Sequence, residues 1–308
     1  MDLVNLRDLF RSKDVYLDTT VTIGGWVRSL RNSKNFGFIV VNDGTFFEPV
    51  QVVFSNVLEN FEEVEKLNVG ASKNKEYRYE GRTYPMGQHG FARDMEFTLE
   101  AQEGKSIWFV LSSTEETYVK YPFRFRLHIG YMLDENEVSV HWKVDNTDEK
   151  PMYFSIGAHP AFLCPINGEQ DKTGYRLRFG DLTDKLHHHG NTSDGMAIMT
   201  DEELELEDGE AVITPGFFDK CTYMVEGAQT GEVSILDRDG EAYVTVRFDA
   251  PLFALWSPEG KEAPFLCIEP WYGRCDAVDF EGSLAERPYE NALAAGGSFD
   301  AEYAIVFA

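Results

Sequence analysis

The sequence predicts a mainly β protein: a large antiparallel β-sandwich preceded by a small β-rich piece with one helix. After residue 71 the chain consists of short β-branched and aromatic segments separated by Asp-, Asn- and Gly-containing turns. Turns recurring every 8–15 residues or so are typical of an antiparallel sandwich. Formal charge divides the chain at the same place, with −3 over residues 1–70 and −22 over the remainder. We therefore predict two domains, 1–70 and 71–308.

The composition excludes several classes of protein. The chain has 308 residues, a net charge of −25 and 43% hydrophobic residues, enough to build a core. So acidic a surface disfavours nucleic acid as a partner of the whole molecule. The N-terminus lacks the features of a signal peptide, no apolar run reaches a membrane span, and the four cysteines form no CxxC pair. We expect a cytoplasmic protein with reduced thiols and no zinc site.

The first piece has three predicted strands and a helix. Residues 2–14 have a weak helical pattern, and the three β-rich segments are Val21–Val27, Phe36–Val41 and Val50–Phe54. Ser55-Asn56 is suited to cap a helix, because apolar residues recur at helical spacing after it: Leu58, Phe61, Val64 and Leu67. No linker follows, although the pattern changes near Val69-Gly70.

The second piece is predicted to be strand and turn to its end. Clear strand patterns are Met95–Glu100, Ser106–Leu111, Phe123–Gly130, Val138–Val144, Val233–Leu236 and Tyr243–Phe248. Asp201–Glu210 holds seven carboxylates in ten residues, which favours a solvated loop or an edge strand. His128 and His141 lie within sheet patterns. His187-His188-His189 suggests a metal ligand set, but adjacent side chains point different ways, so we expect a solvated loop there.

The first 70 residues resemble the N-terminal OB-fold of asparaginyl-tRNA synthetases. The similarity lies in Gly24-Gly-Trp-Val-Arg28-Ser-Leu-Arg31-Asn-Ser-Lys-Asn-Phe36-Gly-Phe38-Ile, Asn42-Asp-Gly44 and Val50-Gln51-Val-Val-Phe54. The resemblance implies that Phe38 stacks on the central anticodon base and that Gln51 hydrogen-bonds its pairing edge. Arg31 would hold the backbone, helped by Arg28 and Lys34. From the residues alone, the simpler interpretation is that Phe38 is a buried strand residue and Gln51 an exposed one.

This resemblance ends at Gly70, after three strands and one helix. An OB-fold closes its barrel with five strands, so the piece is a partial OB-fold. Unpaired strand edges and a half-covered core follow from the missing strands. No later segment resembles the synthetase catalytic domain, and aminoacylation is therefore excluded on this interpretation.

Residues 72–308 resemble the aldose 1-epimerase (galactose mutarotase) family. Three ordered motifs carry the resemblance: Tyr84-Pro-Met-Gly-Gln-His89-Gly-Phe-Ala-Arg93-Asp94, Ser155-Ile-Gly-Ala-His159-Pro-Ala-Phe162 and Leu266-Cys-Ile-Glu269-Pro-Trp271-Tyr-Gly273. The implied fold is the large mutarotase β-sandwich, or supersandwich, here without its first strands. The implied reaction interconverts the anomers of an aldose by moving protons only, with no metal or other cofactor.

The same resemblance assigns roles to individual residues. His159 would protonate the ring oxygen of the sugar and Glu269 would act as the base, a pairing suited to acid–base chemistry near neutral pH. His89 would hydrogen-bond a sugar hydroxyl. Trp256, Phe91 and Trp271 offer apolar faces for the C–H side of a sugar, and Arg93 is a further substrate-binding candidate.

Two of these residues also stand out without the resemblance. Glu269 lies inside an apolar strand, where a carboxylate needs a partner or a function. Arg93-Asp94 is either a functional pair or a structural ion pair.

One residue that the resemblance implies is missing. Family members end the first segment, which this chain lacks, in Val-Gly-Arg. This chain has Val69-Gly70-Ala71 instead, so the expected sugar-binding guanidinium is absent. Its loss costs roughly 1.5–3 kcal/mol of binding, and nearby Lys73 lacks the forked geometry of arginine.

Three hypotheses follow from a chain that reads as a gene fusion of two incomplete domains. The first is a mutarotase of the isomerase class, with activity possible despite Ala71. The second is a protein that binds carbohydrate without turnover. The third is a module that binds tRNA anticodons through Arg31, Phe38 and Gln51, against which the net charge of −25 weighs.

Overall fold

The computed structural model describes residues 4–17, 19–24, 26–32, 36–42, 50–55, 76–169, 171–219, 222–258 and 263–308. Two compact units divide the chain, Met1–Val69 and Gly70–Ala308. Among the described residues, no helix has the length and apolar character needed to cross a membrane.

The first unit contains two short helices and a three-stranded antiparallel sheet in the order β1-β2-β3. Its elements are α1 (Leu6–Arg11), α2 (Lys13–Tyr16), β1 (Trp26–Asn32), β2 (Phe36–Asn42) and β3 (Val50–Ser55). The Asn5 side chain caps α1 by accepting a hydrogen bond from the Asp8 backbone N–H at 2.8 Å. The helix predicted after Ser55 lies outside the described residues, as do Lys34, Ala71 and Lys73.

The second unit begins with elements that lead into a long antiparallel meander. They are β4 (Glu76–Tyr79), β5 (Arg82–Pro85), β6 (Thr98–Glu103), β7 (Ser106–Ser112), α3 (Glu115–Lys120), β8 (Phe125–Asp134), β9 (Glu137–Asn146), β10 (Met152–Phe154), β11 (Ile156–Gly157), β12 (Ala161–Leu163) and β13 (Arg176–Arg178). A short 3-10 helix covers Ala92–Asp94.

The remaining strands complete the sheets. They are β14 (Lys185–Asn191), β15 (Ala197–Glu205), β16 (Glu210–Val212), β17 (Tyr223–Glu226), β18 (Glu232–Leu236), β19 (Ala242–Phe248), β20 (Leu252–Trp256), β21 (Phe265–Tyr272), β22 (Asn291–Leu293) and β23 (Ser298–Phe307), with a second 3-10 helix at Leu284–Glu286.

Two large antiparallel sheets form the body of this unit, and the predicted β-sandwich is confirmed. One has nine strands in the order β16-β13-β18-β19-β23-β9-β8-β7-β6. The other has seven, in the order β11-β21-β20-β17-β14-β15 with β12 also on β21. Their facing sides meet in one apolar cluster, to which the nine-stranded sheet contributes Leu177 and Ile235 and the seven-stranded sheet Phe253 and Ile268. Burying such a side chain contributes about 1.5–3 kcal/mol.

The histidine run is not in a solvated loop, so that expectation is wrong. His187-His188-His189 lies inside β14, which pairs with β15 on one side and β17 on the other. His188 is buried against Tyr223, with ring centroids 4.6 Å apart. The alternation of a strand sends this side chain inward and its two neighbours outward. The first half of the acidic run, residues 201–205, lies in an edge strand, β15, with most of its side chains exposed.

Candidate active site

Alternate side chains of strand β21 point to the core and to the opposite face of the sheet. Leu266 and Ile268 point into the cluster between the two sheets. Cys267, Glu269 and Trp271 alternate with them and therefore point to the other face. Glu269 is only 2% exposed there. A carboxyl group so deeply buried in an apolar strand needs a specific partner.

The partner of Glu269 is His159, which an interrupted strand holds directly opposite. Before the interruption, Gly157 of β11 pairs with Trp271, and after it, Ala161 of β12 pairs with Cys267. Both pairs belong to one register, which places residue 159 opposite residue 269. Residues 158–160, between the two short strands, therefore run along the edge of β21 beside Glu269. The Ala158 N–H donates to the Pro270 carbonyl at 3.0 Å. His159 Nδ1 lies 3.3 Å from Glu269 Oε1.

Pro160 and Gly157 explain why the chain adopts this arrangement. Proline has no N–H for the ladder, which favours a break in strand pairing beside His159. Gly157 leaves room for the ring of Trp271, because a Cβ on residue 157 would lie 2.6 Å from the indole Cδ1. The Trp271 indole N–H in turn donates a hydrogen bond to the Glu269 carboxylate. The glycine thus permits the contact that orients the carboxylate.

Two further rings complete the site around His159. The loop after β5 carries His89 at φ +61°, with its ring centroid 5.3 Å from that of His159 and the planes at 75°. Trp256, at the end of β20, meets His159 edge to face at 5.6 Å and 86°. The His159 side chain is 40% exposed, whereas that of Glu269 is 3% exposed. Of the two groups, His159 therefore faces solvent, and the Glu269 carboxyl group lies buried behind it.

Burial sets the protonation of the three titratable groups. It raises the pKa of Glu269 well above its usual range, against the opposing effect of the Trp271 hydrogen bond. Burial, helped by the nearby His159 and Arg93, lowers the pKa of His89 to about 4. Burial is also the main cause that lowers the pKa of His159, and the positive charge of Arg93 adds to it. Both imidazoles are therefore harder to protonate than a free histidine, and the carboxyl group releases its proton less readily than a free glutamate.

The structure brings together most of the residues that the sequence singled out. His89, His159, Glu269, Trp256 and Trp271 surround one region, and Arg93 is near enough to act on both imidazoles. Arg93 also lies 3.8 Å from Asp94, with both side chains about half exposed.

The Phe91 ring packs against Tyr121 and Phe125 at centroid distances of 5.8 and 6.1 Å. It therefore packs against the second apolar cluster.

The residues predicted to bind RNA lie in the first unit. Gln51 of β3 is exposed and pairs with Val40. The side chains of Arg28, Arg31 and Phe38 lie outside the description.

Sequence reasoning missed Cys267 as a site residue. Its Sγ, a ring nitrogen of His159 and a carboxylate oxygen of Glu269 all lie within 4.8 Å of one another. The alternation of β21 contains the signal, because residue 267 must share a face with residue 269. Gly157 was likewise missed, since its role depends on the strand that it pairs with.

Comparison with known proteins agrees with both parts of the chain. Residues 69–305 match the family model for aldose 1-epimerase, and residues 21–72 match that for an OB-fold nucleic acid binding domain. The chromosomal LacX protein of Lactococcus lactis is 28% identical over 218 residues, covering 69% of this chain and 73% of that protein. An asparagine–tRNA ligase of Clostridium beijerinckii is 51% identical over 67 residues, which is 22% of this chain and only 14% of the ligase.

Solved structures share the fold. A galactose mutarotase related enzyme from Lactobacillus acidophilus superimposes with a TM-score of 0.69 at 26% identity, covering 91% of this chain and 97% of that one. A galactose mutarotase-like protein from Lactobacillus casei gives a TM-score of 0.71 at 24% identity, covering 91% and 99%.

Proposed function

Because the chain belongs to the aldose 1-epimerase family, we propose that it interconverts the α and β anomers of a hexose by acid–base ring opening at His159 and Glu269. One observation carries the proposal: His159 Nδ1 and Glu269 Oε1 lie 3.3 Å apart, with aromatic rings on either side of the imidazole. An imidazole and a carboxyl group in contact can exchange, deliver and accept protons at one substrate.

The reaction needs two proton movements in each direction. One group removes the proton from the anomeric hydroxyl while the other delivers a proton to the ring oxygen, and the C1–O5 bond breaks to give the open-chain aldehyde. Rotation about the C1–C2 bond presents the other face of the carbonyl. Reversal of the proton transfers closes the ring as the other anomer. No electron transfer is involved, and atoms and charge balance without a further reactant.

The pair supplies both functions when it holds a single proton. Burial favours that proton on Glu269 rather than on His159. Transfer across the 3.3 Å contact gives an imidazolium and a carboxylate, the form in which His159 is the acid and Glu269 the base. The indole N–H of Trp271 stabilises the carboxylate by hydrogen bonding.

Four residues are proposed to bind the sugar. His89 is neutral and offers one donor and one acceptor to sugar hydroxyls. Trp256 and Trp271 offer apolar faces to the C–H groups of the ring. Arg93, about half exposed and near both imidazoles, can donate to a hydroxyl on the open side of the site.

Polarimetry of freshly dissolved α-D-glucose and α-D-galactose tests the proposal. The protein should accelerate the approach to anomeric equilibrium in proportion to its concentration, and Glu269→Gln should lower the rate by about 10²–10⁴-fold. Glu290→Gln is a matched control, because it makes the same change at another buried carboxyl group with a 2% exposed side chain. Mutarotation at the spontaneous rate with abundant folded protein contradicts the proposal.

The same two proteins, wild-type and Glu269→Gln, distinguish catalysis from sugar binding without turnover. Titration calorimetry that detects a hexose, with wild-type and Glu269→Gln proteins both inactive by polarimetry, would identify a carbohydrate-binding protein. The aromatic rings around His159 suit binding as well as catalysis, so turnover decides between the two functions.

The OB-fold match favours a second candidate function, tRNA anticodon binding by the first unit. Gln51 is exposed on its sheet, as a residue that reads a base edge must be. A gel shift of the full chain with an anticodon stem-loop at low salt, weakened by Phe38→Ala and by Gln51→Ala, would support it. No shift, or one unaffected by either substitution, would contradict it.

A further inference from the structure

Cys267 has no role in the proposed acid–base chemistry, yet it lies beside both of the groups that perform it. It is 1% exposed and lies on the same face of β21 as Glu269. A nitrogen of His159, its own Sγ and an oxygen of Glu269 lie within 4.8 Å of one another, the one grouping of this kind among the residues that the structure describes. The three side chains combine an imidazole, a thiol and a carboxyl group.

This donor set is one that zinc uses. Zn²⁺ accepts cysteine sulfur, histidine nitrogen and carboxylate oxygen in one tetrahedral site. Two nitrogen or oxygen donors at about 2.0 Å from a tetrahedral ion lie about 3.3 Å apart, which is the observed separation of His159 Nδ1 and Glu269 Oε1. A sulfur–nitrogen edge is about 3.6 Å, so closing the cluster requires the thiol to move by little more than about 1 Å.

The backbone holds the three donors in place before any ion arrives. Cys267 and Glu269 belong to one strand that is paired on both sides, by β20 and by the β11 and β12 segments. His159 is fixed between those two segments. Its side chain is the exposed member of the cluster, so an ion bound there has an open side. Three protein ligands with an open fourth position are typical of an exchangeable zinc site.

We propose that His159, Cys267 and Glu269 form a binding site for Zn²⁺. As the ion binds, the Cys267 thiol and the Glu269 carboxyl group each release a proton to solvent and a Zn–S bond forms, while the neutral imidazole and the resulting carboxylate supply the other two ligands. No oxidation or reduction takes place. The ion occupies the lone pairs that the acid–base reaction needs, so Zn²⁺ inhibits mutarotation; this consequence rests on the proposed function, whereas the binding does not.

Cobalt provides a direct test, because Co²⁺ occupies zinc sites and is coloured. Titration of the full chain with Co²⁺ should produce a near-ultraviolet thiolate-to-cobalt charge-transfer band and visible bands of tetrahedral Co²⁺. Added Zn²⁺ should abolish them. Cys267→Ser should remove the charge-transfer band, and Cys164→Ser should keep it, because Cys164 is an equally buried thiol outside the cluster. Absence of the band in the wild-type protein overturns the inference, as does a band that survives Cys267→Ser.

Zn²⁺ affinity, measured by competition with a chromophoric chelator, should fall at least about a hundredfold in Cys267→Ser, since even changes outside the ligand shell cost about 10- to 100-fold. Cys267→Ala serves the same purpose if the serine variant does not fold. In polarimetry, Zn²⁺ should inhibit the wild-type protein and Cys164→Ser, and a chelator should reverse the inhibition. A Cys267-dependent cobalt band in a protein without mutarotase activity contradicts the proposed function alone.

Discussion

Gly157 and Trp271 face each other across the β11–β21 ladder, and the indole ring lies where a side chain on residue 157 would begin. A Cβ on residue 157 would lie 2.6 Å from the indole Cδ1. The same indole hydrogen-bonds to Glu269 and lowers the pKa of its carboxyl group, so the absence of a side chain at residue 157 leaves room for a partner of that carboxyl group. This relationship yields the first prediction.

Gly157→Ala should displace the indole and weaken its hydrogen bond to Glu269. We expect kcat for mutarotation to fall at least about tenfold, since one charge-assisted hydrogen bond contributes about 1.5–3 kcal/mol, and overpacking to cost about 1–3 kcal/mol of stability. Gly130→Ala is the matched control, because a Cβ there would lie 2.6 Å from the Trp108 ring, on the other sheet. It should destabilise the fold to a similar extent and leave kcat unchanged. Equal effects of both variants on kcat would contradict the assignment.

Trp256→Ala should act mainly on sugar binding. The Trp256 ring meets His159 edge to face, with ring centroids 5.6 Å apart. Loss of an aromatic platform costs about 0.5–1.5 kcal/mol, so KM should rise about two- to twelvefold with a smaller change in kcat. Trp256→Phe should recover most of the affinity. A fall in kcat with unchanged KM, measured by polarimetry over a range of sugar concentrations, contradicts this role.

Glu290 should make the stability of the protein depend on pH. Burial raises its pKa to about 7, although Arg287 at 3.6 Å and the Ser155 hydroxyl at 2.7 Å oppose the shift. The native state therefore binds a proton that the unfolded chain, with a carboxyl pKa near 4.5, has lost. This stabilisation is complete below pH ~4.5 and is lost as pH rises to ~7, in total on the order of 3 kcal/mol.

The measurement is the urea midpoint of the wild-type protein and Glu290→Gln between pH 4.5 and pH 8. The glutamine keeps an acceptor for Ser155 but cannot ionise, so its midpoint should vary less across this range, and the two proteins should differ most above pH 7. Parallel pH profiles would show that Glu290 is not the responsible group.

The fold class could be predicted because strand alternation and turn residues are local features. Glu269 could be singled out for a similar reason, since a carboxylate between Leu266-Cys-Ile268 and Pro270 conflicts with its local pattern. His159 and His89 depended on the family motifs, because no local rule brings a loop after β5 to a loop between β11 and β12. Their meeting at 5.3 Å is a property of the tertiary fold.

Other features required the register of the sheets. The opposition of His159 and Glu269 follows from two short strands pairing with β21 in one register, and short strands carry little signal. The histidine run was interpreted as a solvated loop because adjacent side chains point different ways, but β14 pairs on both sides there and alternation buries His188 alone. Phe91 was singled out as an apolar face for the sugar, and the structure adds that its partly buried ring packs with Tyr121 and Phe125.

A double-mutant cycle on His159 and Glu269 tests the central claim most directly. Polarimetry gives kcat/KM for the wild-type protein, His159→Gln, Glu269→Gln and the double variant. If the two residues share one proton and act as a unit, each single variant should lose about 10²–10⁴-fold, and the double variant should lose little more than the worse single one. Losses that multiply in the double variant, or a wild-type protein that does not accelerate mutarotation, would contradict the account.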